Sequence, residues 1–125
     1  MANADLRALM FFHHILNKTK KRALCQLAIE RSIRGYVKYG YPGVLVCQGE
    51  DAEIKGYIRE VKNMRWQQVR LDAMDRVPQD PPAHIPMALK GLEEVASISD
   101  IVKTLGVLGS DWETWFKQGM GYSPR

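Results

Sequence analysis

Apolar residues two apart open the chain: Leu6, Ala8, Met10 and Phe12 share one face of an extended segment running to His13. Polar residues bound it on both sides, so it reads as a first strand. The period then changes. Ala23, Leu24, Leu27 and Ala28, flanked by Cys25 and Ile29, recur at helical spacing, with Asn17 or Thr19 as N-cap and Gly35 as the stop. That predicts a helix over roughly residues 18–34. Tyr36 to Tyr39 has β propensity, Gly40 to Gly43 is turn chemistry and Val44 to Cys47 is an unbroken apolar strand, together a hairpin. Gly49-Glu50-Asp51 opens a second helix with acids at its positive end, and Ile54, Tyr57, Ile58 and Val61 make its apolar stripe. Trp66 to Met74 alternates as a last strand. The order βαββαβ over residues 1–76 predicts an α+β, ferredoxin-like sheet of four antiparallel strands.

Four of the six prolines fall between Val77 and Gly91, where no apolar period is found, so residues 77–91 read as an extended connector. Residues 92–125 read as a helical extension of the same domain. Ile98, Ile101, Val102 and Leu105 form a stripe ending at Gly106, and Ser110 to Glu113 has the form of a capping box before Trp115 and Phe116. A half-exposed strand would alternate, and Val44 to Cys47 does not, so both faces of the sheet need cover. The tail, with Trp112, Trp115 and Phe116, is the element available to supply it.

At 125 residues the chain suffices for one domain with a core, and its longest apolar run, Ala8 to Phe12, is far short of a bilayer span. With no basic segment before that run, and with only Cys25 and Cys47 as cysteines, we expect a monomer that is not secreted, does not meet a membrane and resides in the nucleus or cytoplasm. The charge is uneven. Residues 1–76 carry 14 Lys or Arg against 8 acids, whereas residues 77–125 carry 4 against 6. Lys18, Lys20, Lys21, Arg22, Arg31, Arg34 and Lys38 face Glu30 alone within residues 17–38, and such an excess asks for an anionic partner such as a phosphate backbone. Four cations at the positive end of a helix repel one another until an anion answers them, so the start of the first helix is a candidate phosphate cradle. Lys18 to Arg22 also has the composition of a nuclear-import signal.

Catalysis finds little footing. The chain has no P-loop, no C-x-x-C and no nucleophile spaced for a base. His13 and His14, as strand neighbours, would point to opposite sides and could not share a metal, and the third histidine, His84, lies in the connector. We therefore expect no enzyme, no metal and no cofactor. A non-catalytic protein–protein interaction module is the alternative to a nucleic-acid binder.

The motifs Phe12-His13-His14-Ile15, Asn17 to Arg22, Gly35 with Gly40 and Pro42-Gly43-Val44, Trp66, Asp111-Trp112 and Gly119 to Tyr122 occur in an order and spacing that resembles one family. It is the C-terminal domain of pre-mRNA-processing factor three, which also closes the RWD-domain-containing proteins of type two. The resemblance implies a ferredoxin-like fold and a splicing-factor-like RNA-binding role, in which the paired small nuclear RNAs of an snRNP are held together with an adjoining single strand. It points to His13, His14, Lys18, Lys20, Lys21 and the Tyr41-Pro42-Gly43 turn, to which the charge excess adds Arg22 and Lys38. Tyr39 and Tyr41 stand where relatives often carry Pro and Lys, and Gln67-Gln68 where a Lys-Arg pair is frequent. Both changes remove positive charge, and Tyr41 gains a ring on which a base can stack.

Overall fold

Residues 5–122 are described by the computed structural model, in the order β1 (Leu6–Phe12), α1 (Lys18–Glu30), β2 (Arg34–Lys38), β3 (Gly43–Gly49), α2 (Asp51–Asn63), β4 (Val69–Arg76), β5 (Gly91–Val95), α3 (Ile98–Leu108) and α4 (Ser110–Met120). The first six elements make the ferredoxin-like unit, with strands ordered β4-β1-β3-β2 and each neighbour antiparallel. A fifth strand, β5, pairs parallel with β2, so the sheet is mixed and five-stranded rather than the four antiparallel strands expected.

Strand alternation sorts the core into two layers. Leu6, Ala8, Met10 and Phe12 of β1, with Leu45 and Cys47 of β3, face α1 and α2, where Leu24, Ala28 and the α2 stripe of Ile54, Tyr57, Ile58 and Val61 close over them. Leu9, Tyr36, Val44 and Val46 face the other way, onto Ile101, Leu105, Trp112, Trp115 and Phe116. The tail helices do cover the second face, as the unbroken apolar run of β3 requires. Within this layer Arg7, 4% exposed, packs against two indoles, its guanidinium carbon 4.9 Å from the Trp112 centroid and 4.5 Å from that of Trp115. Asp75 accepts from its Nε at 2.7 Å, and Asp111 lies 2.9 Å from its Nη1 without hydrogen-bond alignment. A buried guanidinium is thus neutralised at the layer's rim.

Other differences from the sequence reading have local causes. α1 stops at Glu30, before Gly35, because Ser32 takes a left-handed conformation (φ 57°) and turns the chain into β2. Gly35 serves another purpose: a Cβ there would fall 2.0 Å from the Val46 carbonyl oxygen on the paired strand. α3 continues through Gly106 to Leu108, and α4 starts from Gly109 (φ 144°) with no side-chain cap, so Ser110 is a helical residue and no capping box forms. The connector is docked. Arg34 Nε donates to the Ile85 carbonyl at 2.8 Å, the Ile85 amide donates to Gln48 Oε1 at 2.8 Å, and Trp112 Nε1 donates to the Ala83 carbonyl at 2.8 Å. His84 Nδ1 lies 2.9 Å from Gln48 Nε2, which ties this histidine to the sheet as well.

Candidate nucleic-acid interface

At one end of the sheet β1 and β2 finish and β3 and β4 begin, and α1 starts directly above. The register places Phe12 beside Gly43 and Val69, so everything between paired strands at this end converges. Two loops are stitched together by Ile15 and Gly40, each amide donating to the other's carbonyl at 3.0 Å. Close approach of Ile15 is possible only because position 43 is glycine, where a Cβ would meet Ile15 Cγ1 at 2.3 Å. The stitch draws Tyr41 against the histidines.

His13 and His14 do not point apart. The strand ends at Phe12, the chain bends, and the two rings lie edge to face with centroids 5.2 Å apart. Tyr41 completes the cluster at 5.7 Å from His13 and 5.1 Å from His14, and it is 64% exposed. No trio of His, Cys, Asp and Glu is placed to hold a metal ion among the described residues. Lys38 is placed differently from the sequence reading: its ammonium donates to the Tyr41 carbonyl at 3.1 Å and the Pro42 carbonyl at 2.8 Å, which turns it inward to shape the turn.

The cations of α1 sit otherwise. Asn17 is the N-cap, its Oδ1 accepting from the Lys20 amide at 3.1 Å, and no acidic residue lies in the first turn. Lys20 Nζ rests 4.9 Å from the Trp66 ring centroid and Lys21 Nζ 4.8 Å from that of Tyr39, while Lys18 and Arg22 are exposed. Among the described residues none of these four has a carboxylate within ion-pairing distance; Lys38, Arg59, Lys62, Arg65, Arg76, Lys90 and Lys103 have none either, so what sets the four apart is their crowding at one helix start. His13, His14, Lys18, Lys20, Lys21, Arg22, Tyr41, Pro42 and Gly43 are therefore gathered at one end, and Lys38 supports them from below.

Sequence reasoning missed the wall opposite α1. A groove of about 250 Å³ runs between the β1–α1 loop and the turn before β4, lined by His14, Leu16, Asn17, Lys20, Trp66 and Gln67. Trp66 precedes the strand to which alternation assigned it. Its Nε1 donates to the Val61 carbonyl at 2.7 Å, and its ring meets Phe12 edge-on at 4.6 Å. A Trp followed by two glutamines, Gln67 and Gln68, was the available signal.

A larger groove, of about 510 Å³, lies at the far end of the sheet, among Ile29, Arg31, Arg34, Glu50, Met87 and Leu89. Its charges are mixed, and its guanidiniums are already engaged: Arg31 by Glu53 at 2.9 Å and Glu60 at 2.6 Å, Arg34 by Ile85. The cysteines are equally occupied by structure. Cys47 is fully buried, which pushes its thiol up to about 12, and Cys25 Sγ lies 3.4 Å from the Tyr39 hydroxyl. Burial, then this contact, holds the Tyr39 phenol above its ordinary range.

No family model matches the chain. Among solved structures it is similar to BlrB, a BLUF protein in its dark state, at 15% identity and a TM-score of 0.59 over 98% of this chain and 91% of that one. It is similar to the BLUF domain of BlrP1 at 10% identity and a TM-score of 0.59, over 92% of this chain and 80% of that one. A bacterial light-regulated adenylyl cyclase matches at 11% identity and a TM-score of 0.55, over 94% of this chain and 35% of that longer protein. At such identities the likeness is one of fold, and it extends across the tail as well as the ferredoxin-like unit. No helix among the described residues is long and apolar enough to cross a membrane.

Proposed function

We propose that the chain is a non-catalytic RNA-binding module, holding backbone phosphates at the start of α1 through Lys18, Lys20, Lys21 and Arg22. One observation carries the reading: these four cations crowd the positive end of a helix, with no carboxylate among the described residues to answer them, beside the exposed ring of Tyr41. Phosphate relieves that repulsion, and a ring beside it offers a base somewhere to stack. The resemblance to the splicing-factor domain supports an RNA of the small nuclear kind, duplex with an adjoining single strand, bound in the nucleus or cytoplasm.

A second reading, a protein-interaction module, draws on the far groove, where Ile29 and Met87 are 62% and 71% exposed beside Leu89. The two readings occupy opposite ends of the sheet and separate cleanly. Anisotropy titration of a labelled RNA duplex with a single-stranded overhang, repeated across about 50 to 200 mM salt, tests the first. Four phosphate contacts give a slope of log K against log salt of about −3.6. Absence of binding at the lowest salt sinks the RNA reading and leaves the other.

A further inference from the structure

We propose that the groove between the β1–α1 loop and Trp66 takes a single unstacked base of the RNA, so that the module grips a single-stranded stretch by its base as well as its phosphates. The inference rests on the RNA-binding reading and adds Trp66, Leu16 and Gln67 to the interface.

Size comes first. At about 250 Å³ the groove is smaller than the ~300–1,000 Å³ of sites for drug-sized molecules, and it suits one planar ring system with an open mouth. Its character is equally restrictive. No carboxylate lines it, one wall is an indole, and the side chain lying on that indole is a lysine. An acidic peptide would answer the lysine and leave the ring unused. A neutral aromatic would do the reverse, whereas a nucleotide answers both.

Trp66 cannot swing away, because its Nε1 bond to Val61 and its edge contact with Phe12 fix the ring plane. Lys20 Nζ lies over the ring face. A base stacked on an aromatic ring is worth more than an exposed ammonium over the same ring, so the base displaces Lys20. The freed ammonium, on a side chain that itself lines the groove, then meets the phosphate of the same nucleotide. His14 lies between this groove and Tyr41, touching both, so two stacking platforms stand side by side at the end of β1. The amides at the mouth, Asn17 and Gln67, can donate or accept toward any base edge, which makes the grip tolerant of sequence.

The test varies the RNA and leaves the protein intact. Duplexes with overhangs of zero, one, two and four nucleotides are titrated at low salt, together with overhangs in which each base in turn is replaced by an abasic residue. We expect about a tenfold gain in affinity on adding the overhang, lost when one particular base is removed although its phosphate remains. The folded Trp66→Leu variant should lose the overhang gain and bind blunt and overhung duplexes alike. Equal affinity for blunt and overhung duplexes, or indifference to every abasic replacement, overturns the groove assignment while leaving phosphate binding standing. Failure of all the RNAs to bind overturns both.

Discussion

Reversing two charges at the start of α1, Lys20→Glu with Lys21→Glu, separates a ligand surface from a solvated helix face. Removing a cation from the first turn relieves about 0.3–1 kcal/mol, and placing an acid there adds a similar amount. Against this, each lysine loses its aromatic partner, Trp66 for Lys20 and Tyr39 for Lys21, at about 0.5–1 kcal/mol. Over their full ranges these terms put the pair between about 1 kcal/mol against the variant and about 3 kcal/mol in its favour, centred on about 1 kcal/mol, a rise in Tm of about 4 °C for a chain of this size. RNA binding should move the other way. Two lost phosphate contacts flatten the salt slope by about 1.8, with an affinity loss of more than about tenfold at low salt. Thermal melts and anisotropy titrations on one preparation read both quantities. A variant that melts no lower than the parent and binds RNA with the parent's affinity and slope refutes the reasoning. So does a variant that loses RNA only because it has lost stability.

Trp112→Ala removes a fully buried indole, its bond to Ala83 and one of the two rings flanking Arg7, and should cost about 3–5 kcal/mol by denaturant titration. Little change in stability would mean the tail is not integral to the core. Burial raises the Cys47 thiol from 9.0 to about 12 and holds Tyr57 well above its ordinary range, so the folded state keeps protons that the unfolded state releases. Stability should therefore hold near neutrality and fall as pH rises from about 9 to about 12, with Cys47→Ala removing up to about 1.4 kcal/mol per pH unit of that slope. Unaltered alkaline behaviour in that variant would contradict the assignment. In native protein a thiol reagent should leave Cys47 unlabelled after Cys25, half-buried, has reacted. Gly56→Ala and Arg31→Ala should be strongly non-additive by double-mutant cycle, because a Cβ at position 56 would lie 2.4 Å from the same guanidinium that clamps Glu53 and Glu60. Simple additivity would show that the clamp and the glycine are unrelated.

Legibility in the sequence followed how strongly each element is over-determined. The stripe of α2 and the alternation of β1 stood out because one face of each is wholly buried. The unbroken run of β3 correctly announced a second covered face. β5 left no such mark: in Gly91 to Val95 each face receives one apolar side chain and one glutamate, Leu92 with Glu94 and Glu93 with Val95, as an edge strand tolerates. The end of α1 was hidden because it rests on Ser32 adopting a conformation that glycine usually supplies. At the candidate site the cations and the Tyr41 turn were legible from charge and turn chemistry. The edge-to-face meeting of His13 and His14 and the Trp66 wall were not, since both arise where the chain leaves its regular pairing.

The stretch from Val77 to Lys90 begins at the end of one edge strand, β4, and delivers the chain to the start of the other, β5. It acts as a strap across the sheet, held at Ala83 and Ile85 by bonds to Trp112, Arg34 and Gln48. Neither tail helix can peel away without pulling on a strand bonded to β2, so the βαββαβ unit and its tail belong to one cooperative melting unit. Ending the chain after Arg76 would uncover Leu9, Val44 and Val46 and strip the outer partner from β2 in the same stroke. An apolar sheet face beside an unpaired strand edge is a template for self-association, which makes the tail the element that keeps the sheet from pairing with its own kind.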